Sequence, residues 1–180
     1  MVSGEVWDDS NRAALHHAEA EALAYIHPFA DPAVIAGQRT IALEILEEAP
    51  DLDTLIVAIG GGGLISGVAL TANALKPGIR IIGVEPVGAP TLHDSLAAGR
   101  LVELKKLDTA AIAIIQQTVE RIVLVEDREM LAAARWLWHE FGVAAELSGA
   151  VAALLATHYR PAVGERVCAI VCGAGTDGLA

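Results

Sequence analysis

The order of apolar and polar positions divides the chain into helical and extended stretches. An extended run from Val2 to Trp7 leads to Asp8-Asp9-Ser10, an amino-terminal cap signal, and an alanine-rich run at helical spacing follows as far as Tyr25. Asp31-Pro32 is a second cap, with proline at the first helical position, and the helical pattern it opens runs to Ala49, where Pro50-Asp51 stops it. Thr54 to Leu75 carries no charge and is about as long as a membrane span. Gly60 to Gly63 fall in its middle, however, and four glycines would cost a helix roughly 1 kcal/mol each relative to alanine. The segment therefore predicts a strand, Leu55 to Ile59, a glycine turn, and a helix from Leu64 to Leu75, and not a membrane segment.

The same reasoning predicts a strand from Arg80 to Val84 stopped by Glu85-Pro86, helix-like sequence with loops to Gln117, and a strand from Arg121 to Val125. Asp127 then caps a helix whose core-facing stripe is Met130, Ala134, Leu137, Trp138 and Phe141. A further alanine-rich helix spans Leu147 to Tyr159, and an apolar run from Arg166 to Val171 leads into Cys172-Gly173-Ala174-Gly175. Strands that alternate with helices predict an α/β fold with a parallel or mostly parallel sheet flanked by helices.

Composition narrows the classes of function. Of 180 residues, 54% are apolar and 19% charged, enough apolar content to bury a core and exclude general disorder. Twelve Lys and Arg against 23 Asp and Glu give a net charge of −11 without a basic run, so the footprint that neutralises a nucleic-acid backbone is missing. Cys168 and Cys172 lie four apart in one apolar stretch, which is neither a zinc nor a redox spacing, and predicts reduced thiols in a cytoplasmic protein. The first residues lack the basic start and apolar run of a secretory signal.

In open α/β sheets ligands bind beyond the carboxyl ends of the strands, so the residues after each strand are the candidates. Gly60 to Gly63 enter a helix at Leu64; glycines let the backbone approach an anion, and the helix start adds NH groups and the positive end of its dipole. This loop predicts a phosphate site. No Gly-Lys-Ser/Thr follows, which excludes a Walker loop, whereas Gly61-Gly62-Gly63-Leu64-Ile65-Ser66 approaches the dinucleotide fingerprint and Glu85 falls where a ribose-binding acid belongs. Locally, therefore, the loop points to phosphate without choosing among phosphorylated ligands. Glu85 is also a candidate ligand for a hard cation, with oxygens from the loop after it, and Cys172 is a small polar group able to face a flat ligand. The six histidines form no triad.

Taken in order, Ile26-His27-Pro28-Phe29, Ile35-Ala36-Gly37-Gln38-Arg39-Thr40, Ile59-Gly60-Gly61-Gly62-Gly63-Leu64, Gly83-Val84-Glu85-Pro86 and Cys172-Gly173-Ala174-Gly175 resemble the pyridoxal-phosphate enzymes of the serine/threonine dehydratase group, with the tryptophan synthase β-like fold, type II. The resemblance covers essentially the whole chain. It implies that Gly60, Gly61, Gly62, Gly63 and the NH of Leu64 hold the cofactor phosphate, that Cys172 faces the pyridine nitrogen as a neutral donor, and that Glu146 lies beside the cofactor. Glu85 and the carbonyl of Ala89 match two ligands of a divalent cation, magnesium or calcium, while Thr91 stands where the third, an acid, belongs. The implied reaction is β-elimination from L-threonine or L-serine to a 2-keto acid and ammonia, with racemisation and synthase chemistry as neighbouring outcomes. Residues 1–25 correspond to the end of the small domain and 26–180 to the large cofactor-binding domain, and the complete enzyme is expected to be a homodimer acting on small amino acids, with no nucleic-acid or membrane partner.

The sequence departs from that family in ways that bear on activity. Its only lysines are Lys76, Lys105 and Lys106, none in the Ser-x-Lys context of the lysine that carries the cofactor. Arg39 replaces a family glycine, and the segment from Leu107 to Gln117 is shorter than usual. The expectation is a carboxyl-terminal portion of a dehydratase-like enzyme that lacks the cofactor-carrying lysine and is inactive by itself; a subunit contributing half of a split active site is another class left open. A non-catalytic phosphate- or nucleotide-binding module of Rossmann-like type is the alternative.

Overall fold

Four strands and the helices between them follow the predicted alternation. The structure, a computed structural model, describes residues 4, 7–98 and 109–179. Strands β1 (Thr54–Ala58), β2 (Arg80–Pro86), β3 (Arg121–Val125) and β4 (Val167–Ala169) form one sheet in the order β3-β2-β1-β4, and all three pairings are parallel. Helices α1 (Trp7–Ala20) and α2 (Pro32–Glu48) precede β1, and the crossovers that parallel strands require are provided by α3 (Gly63–Leu75) between β1 and β2, α4 (Thr91–Ala98) and α5 (Thr109–Thr118) between β2 and β3, and α6 (Asp127–Phe141) and α7 (Leu147–His158) between β3 and β4.

Both faces of the sheet are covered, and the period-2 alternation of β1 shows how. Leu55, Val57 and Ile59 pack with Ile65, Val68, Ala72 and Ile115 on the face carrying α2, α3 and α5. Ile56 and Ala58 pack with Met130, Ala134, Leu137 and Val151 on the face carrying α6 and α7. β1 is buried along its whole length, as expected of a central strand, and the glycine loop leaves its carboxyl end. No helix among the described residues is long and apolar enough to cross a membrane.

Several element ends differ from expectation. Trp7 is the first residue of α1, and Asp8 and Asp9 lie in its first turn instead of before it; the rest of the predicted Val2-to-Trp7 strand lies outside the described residues apart from Gly4. α1 ends at Ala20 and not Tyr25 because Ala22 adopts a left-handed conformation (φ 51°) and Leu23 N donates back to Ala18 O at 2.8 Å, closing the helix. Strand β2 runs through Glu85 to Pro86 because β3 pairs with it as far as Pro86↔Val125. The cap of α6 is Glu126, which exchanges side-chain and backbone bonds with Glu129; Asp127 is already helical. Met130, Ala134 and Leu137 are buried as predicted, but Trp138 is 40% and Phe141 62% exposed. The buried face of α6 is completed by Ala133, toward α7, so the stripe lies to one side of the two aromatic residues.

At the amino ends of the strands a polar cluster ties the layers together. Glu165 accepts from Thr54 Oγ1 (2.6 Å), Tyr159 Oη (2.7 Å), Arg80 Nη1 (3.1 Å) and Ala162 N (2.8 Å), and Arg80 also forms a two-bond pair with Glu120. The hydroxyls of Thr54 and Tyr159, the Ala162 NH and the Arg80 charge hold the Glu165 carboxyl down to about 2.

Candidate functional site

The opposite, carboxyl ends of the strands open into a cavity of about 950 Å³, within the range of small-ligand pockets. Gly60 to Gly63 and Leu64 after β1, Pro86, Ala89 and Thr91 after β2, and Cys172 after β4 all line it. Ser148 and Val151 of α7 and Trp7 and Asp8 of α1 complete the wall.

Each glycine of the loop has a different physical reason. Gly62, the N-cap of α3, has φ 84°, in the left-handed region. A Cβ on Gly61 would fall 2.2 Å from the Phe29 ring, and one on Gly63 would fall 2.6 Å from the Phe29 carbonyl oxygen. Phe29 is thus the back wall of the loop, and Trp7 and His27 support it at ring-centroid distances of 4.9 and 4.6 Å. His27 Nδ1 in turn accepts from Ala30 N at 3.0 Å, and its Nε2 is buried without a hydrogen-bond partner among the described residues. A Cβ on Gly60 would meet nothing within 4 Å, which leaves that side of the loop open to a ligand.

The helix starts around the cavity differ in a way that locates an anion. Asp31 accepts from Ala33 N at the start of α2, Glu126 and Glu129 cap α6, and Asp177 accepts from Leu147 N at the start of α7. Glu85 accepts from Leu92 N (2.9 Å) and His93 N (2.8 Å) at the start of α4. By contrast α3 begins at a glycine with no side-chain cap, so its first-turn NH groups and dipole face the cavity without a protein acceptor from the cap. A phosphate group fits this cradle.

Across the cavity the loop of Cys172 is packed against α7 with little clearance. A Cβ on Gly149 would lie 2.1 Å from Cys172 O, and a Cβ on Gly173 would lie 2.3 Å from Glu146 Oε1. Burial, reinforced by the charge of Glu146, pushes the Cys172 thiol up, so it is a neutral donor at ordinary pH. Glu146 itself is not in the cavity lining; its Oε1 accepts from Ser148 Oγ at 2.6 Å, and Ser148 is the residue that faces the cavity.

Glu85 is 1% exposed, and burial pushes its carboxyl up while the two NH bonds pull it back. It does not line the cavity, whereas Ala89 and Thr91 do. Among the described residues no three His, Cys, Asp or Glu side chains come together as a cation site.

Arg39 is exposed at the edge of the contact between α2 and α3, and its Nε donates to Thr71 Oγ1 of α3 at 3.1 Å, so the fold accepts the side chain that replaces the family glycine. Lys76 is at the far end of α3 from the glycine loop, with Nζ bonded to Pro50 O, and no lysine is among the cavity-lining residues. Lys105 and Lys106 lie outside the described residues, as do Leu107 and Asp108 at the start of the shortened segment.

Trp7, Ser148 and Asp177 belong to the site or its support without a motif in the sequence to mark them. Pro28, Phe29 and Gln38, which also line the cavity, lie within motifs visible in the sequence, but those motifs did not state the role of Phe29 as the wall of the glycine loop.

An uncapped glycine-rich helix start and a neutral thiol, facing one cavity at the carboxyl ends of a parallel sheet, define a protein that holds a small phosphorylated cofactor. Comparison with known proteins agrees: residues 1–173 match the family model described as pyridoxal-phosphate dependent enzyme. An L-threonine ammonia-lyase of Geobacter sulfurreducens is 38% identical, over 94% of this chain and 46% of that relative. The solved structure of the processed form of threonine deaminase isoform 2 from Solanum lycopersicum aligns with a TM-score of 0.84 at 34% identity, covering 97% of this chain and 52% of that one. Maize serine racemase aligns equally well, with a TM-score of 0.84 at 31% identity over 97% of this chain and 58% of that one. The chain belongs to the pyridoxal-phosphate dependent enzymes, in the threonine/serine dehydratase group of fold type II. It spans about half the length of the relatives it matches.

Proposed function

We propose that this chain is the cofactor-holding portion of an enzyme that deaminates L-threonine or L-serine to a 2-keto acid and ammonia. The observation that carries the reading is the pairing, across one cavity, of the uncapped start of α3 with the neutral thiol of Cys172. Similarity to threonine ammonia-lyases supports deamination, and similarity to serine racemases makes racemisation the outcome to measure beside it.

In this reading the NH groups of the Gly60–Gly63 loop and Leu64 hold the phosphate, and Cys172 donates to the ring nitrogen. Ser148, held by Glu146, presents its hydroxyl to the same space. Pyridoxal phosphate, when bound, supplies the electron sink that makes the α-proton of a joined amino acid removable. The amine that carries the cofactor comes from a segment outside this sequence, which corresponds to the small domain and ends with residues 1–25 here. The stretch between α1 and α2 is then the domain connection, and the assembled enzyme is a soluble homodimer of the cytoplasm.

The test mixes the purified chain with pyridoxal phosphate and L-threonine or L-serine, and follows cofactor retention, 2-keto acid and D-serine. The chain retains pyridoxal phosphate, inorganic phosphate competes with it, and no 2-keto acid forms until a lysine-bearing amino-terminal portion of a relative is added. Keto-acid formation by the chain alone, or preference for NAD over pyridoxal phosphate, defeats the reading.

A further inference from the structure

The carboxylate of Glu85 does work that the sequence resemblance assigns to a metal ion. We propose that Glu85 is a positioning residue for the cavity wall, an internal cap on α4 that takes the place of the divalent cation and leaves the protein indifferent to magnesium and calcium. This role of Glu85 does not depend on which amino acid is the substrate.

A hard cation takes six or more oxygens, some of them from water, and the protein must anchor it with charged or carbonyl oxygens whose free lone pairs are directed at one point. The segment after β2 offers few. Both Glu85 oxygens are bonded to amides, Oε1 to Leu92 N at 2.9 Å and Oε2 to His93 N at 2.8 Å. The Pro86 carbonyl accepts from Ala89 N, the Pro90 carbonyl from Asp94 N, and the Thr91 carbonyl from Ser95 Oγ at 2.6 Å. Thr91 brings a hydroxyl where a cation site needs charge. The nearest other acid in sequence, Asp94, faces outward and is bonded to His93 Nδ1 at 2.9 Å.

As a cap the same geometry is complete. Leu92 and His93 lie in the first turn of α4, where amides lack helical acceptors, and one buried carboxylate satisfies both. The negative charge sits at the positive end of the helix dipole. Because Glu85 ends the buried part of β2 and the cap fixes the start of α4, the connecting turn is held at both ends, and Ala89 and Thr91 of that turn are cavity wall. A protein-internal anion–amide contact thus replaces an exchangeable ion.

The test uses the full 180-residue chain. Wild type is melted in EDTA and in millimolar magnesium or calcium chloride at matched ionic strength, and each cation is titrated into it calorimetrically. The midpoint is the same in all three solutions, no saturable heat appears, and the Leu92 and His93 amides resist hydrogen exchange in EDTA. Glu85→Gln, which keeps the shape but turns a donor toward one of the two amides, speeds exchange at Leu92 and His93 by about tenfold or more. Neither cation reverses that change. A saturable cation heat with a wild-type midpoint that rises on cation addition overturns the proposal, as does rapid exchange of Leu92 and His93 in the wild type. If the variant fails to fold, the wild-type titration and exchange rates still decide.

Discussion

Replacing Gly67 by alanine and, separately, Gly37 by alanine adds the same methyl group to the interiors of two neighbouring helices. Each change removes a flexible residue and gains up to about 1 kcal/mol of helix propensity. At Gly37 in α2 the new Cβ meets nothing within 4 Å, so that gain stands. At Gly67 in α3 the Cβ would lie 2.5 Å from Ile35 O and 2.8 Å from Gln38 Cβ, about 0.9 Å inside the 3.4 Å at which ordinary contact begins. The nearest obstacle is backbone, which cannot rotate away, so α2 and α3 must separate. Overpacking of this kind costs about 1–3 kcal/mol, and a backbone obstacle places it in the upper part of that range. Gly67→Ala is therefore expected to lose roughly 1–2 kcal/mol net, while Gly37→Ala gains up to about 1. At ~2–4 °C per kcal/mol for a chain of this size, the two midpoints differ by roughly 2–12 °C, with the wild type between them. Thermal unfolding followed by far-ultraviolet circular dichroism measures the gap. Retention of pyridoxal phosphate gives a second readout, since α3 carries the glycine loop and α2 contributes Gln38 to the cavity. A Gly67→Ala protein that melts at or above Gly37→Ala refutes the claim that close helix approach, and not propensity, requires glycine there.

Three further outcomes follow from other parts of the molecule. Glu165 has a carboxyl held down to about 2, so its contribution to stability is full above the ordinary carboxylate range and is lost as pH falls from there toward about 2; Glu165→Gln should lower the melting midpoint at neutral pH, with the difference from wild type shrinking in acid. Leu55→Ala, in a strand with no exposed residue, should cost about 2–5 kcal/mol in denaturant unfolding, and a loss below 1 would contradict the packing described for β1. Gly62→Ala forces a side chain into the left-handed region at φ 84°, with a penalty of ~1–2 kcal/mol, and should weaken retention of pyridoxal phosphate in equilibrium dialysis; unchanged retention would remove the loop from the binding site.

The legible parts of the fold are those whose boundaries are set by local chemistry. Asp31-Pro32 marks the start of α2 because the bond from Ala33 N to the Asp31 carboxylate needs only neighbouring residues. The tetraglycine marks the end of β1 because no helix tolerates it, and β3 matches its predicted span from Arg121 to Val125. Tertiary partners decide the rest. The end of α1 depends on Ala22 taking a left-handed conformation without glycine, which no propensity announces. The stripe on α6 includes Trp138 and Phe141 by spacing alone, whereas burial follows the positions of α7 and the sheet. At the site, the glycine loop and Cys172 are visible because each follows a strand. Phe29 and Asp177 act through contacts with residues far away in sequence, Gly61 and Gly63 for the one and Leu147 for the other, so their roles appear only once the chain is folded.

The central position of β1 has a consequence for the order of events during synthesis. One of its edges pairs with β2, which follows closely, but the other pairs with β4 through Thr54↔Val167, more than a hundred residues later. At ~5–20 residues per second a ribosome needs on the order of ten seconds to make that interval. Throughout it, a strand that is buried along its whole length in the finished fold has an open edge, the arrangement most prone to pair with a neighbouring chain. Arrival of β4 closes that edge and, three residues later, brings Cys172 to the cavity, so the step that ends the risk of aggregation also completes this chain's part of the site.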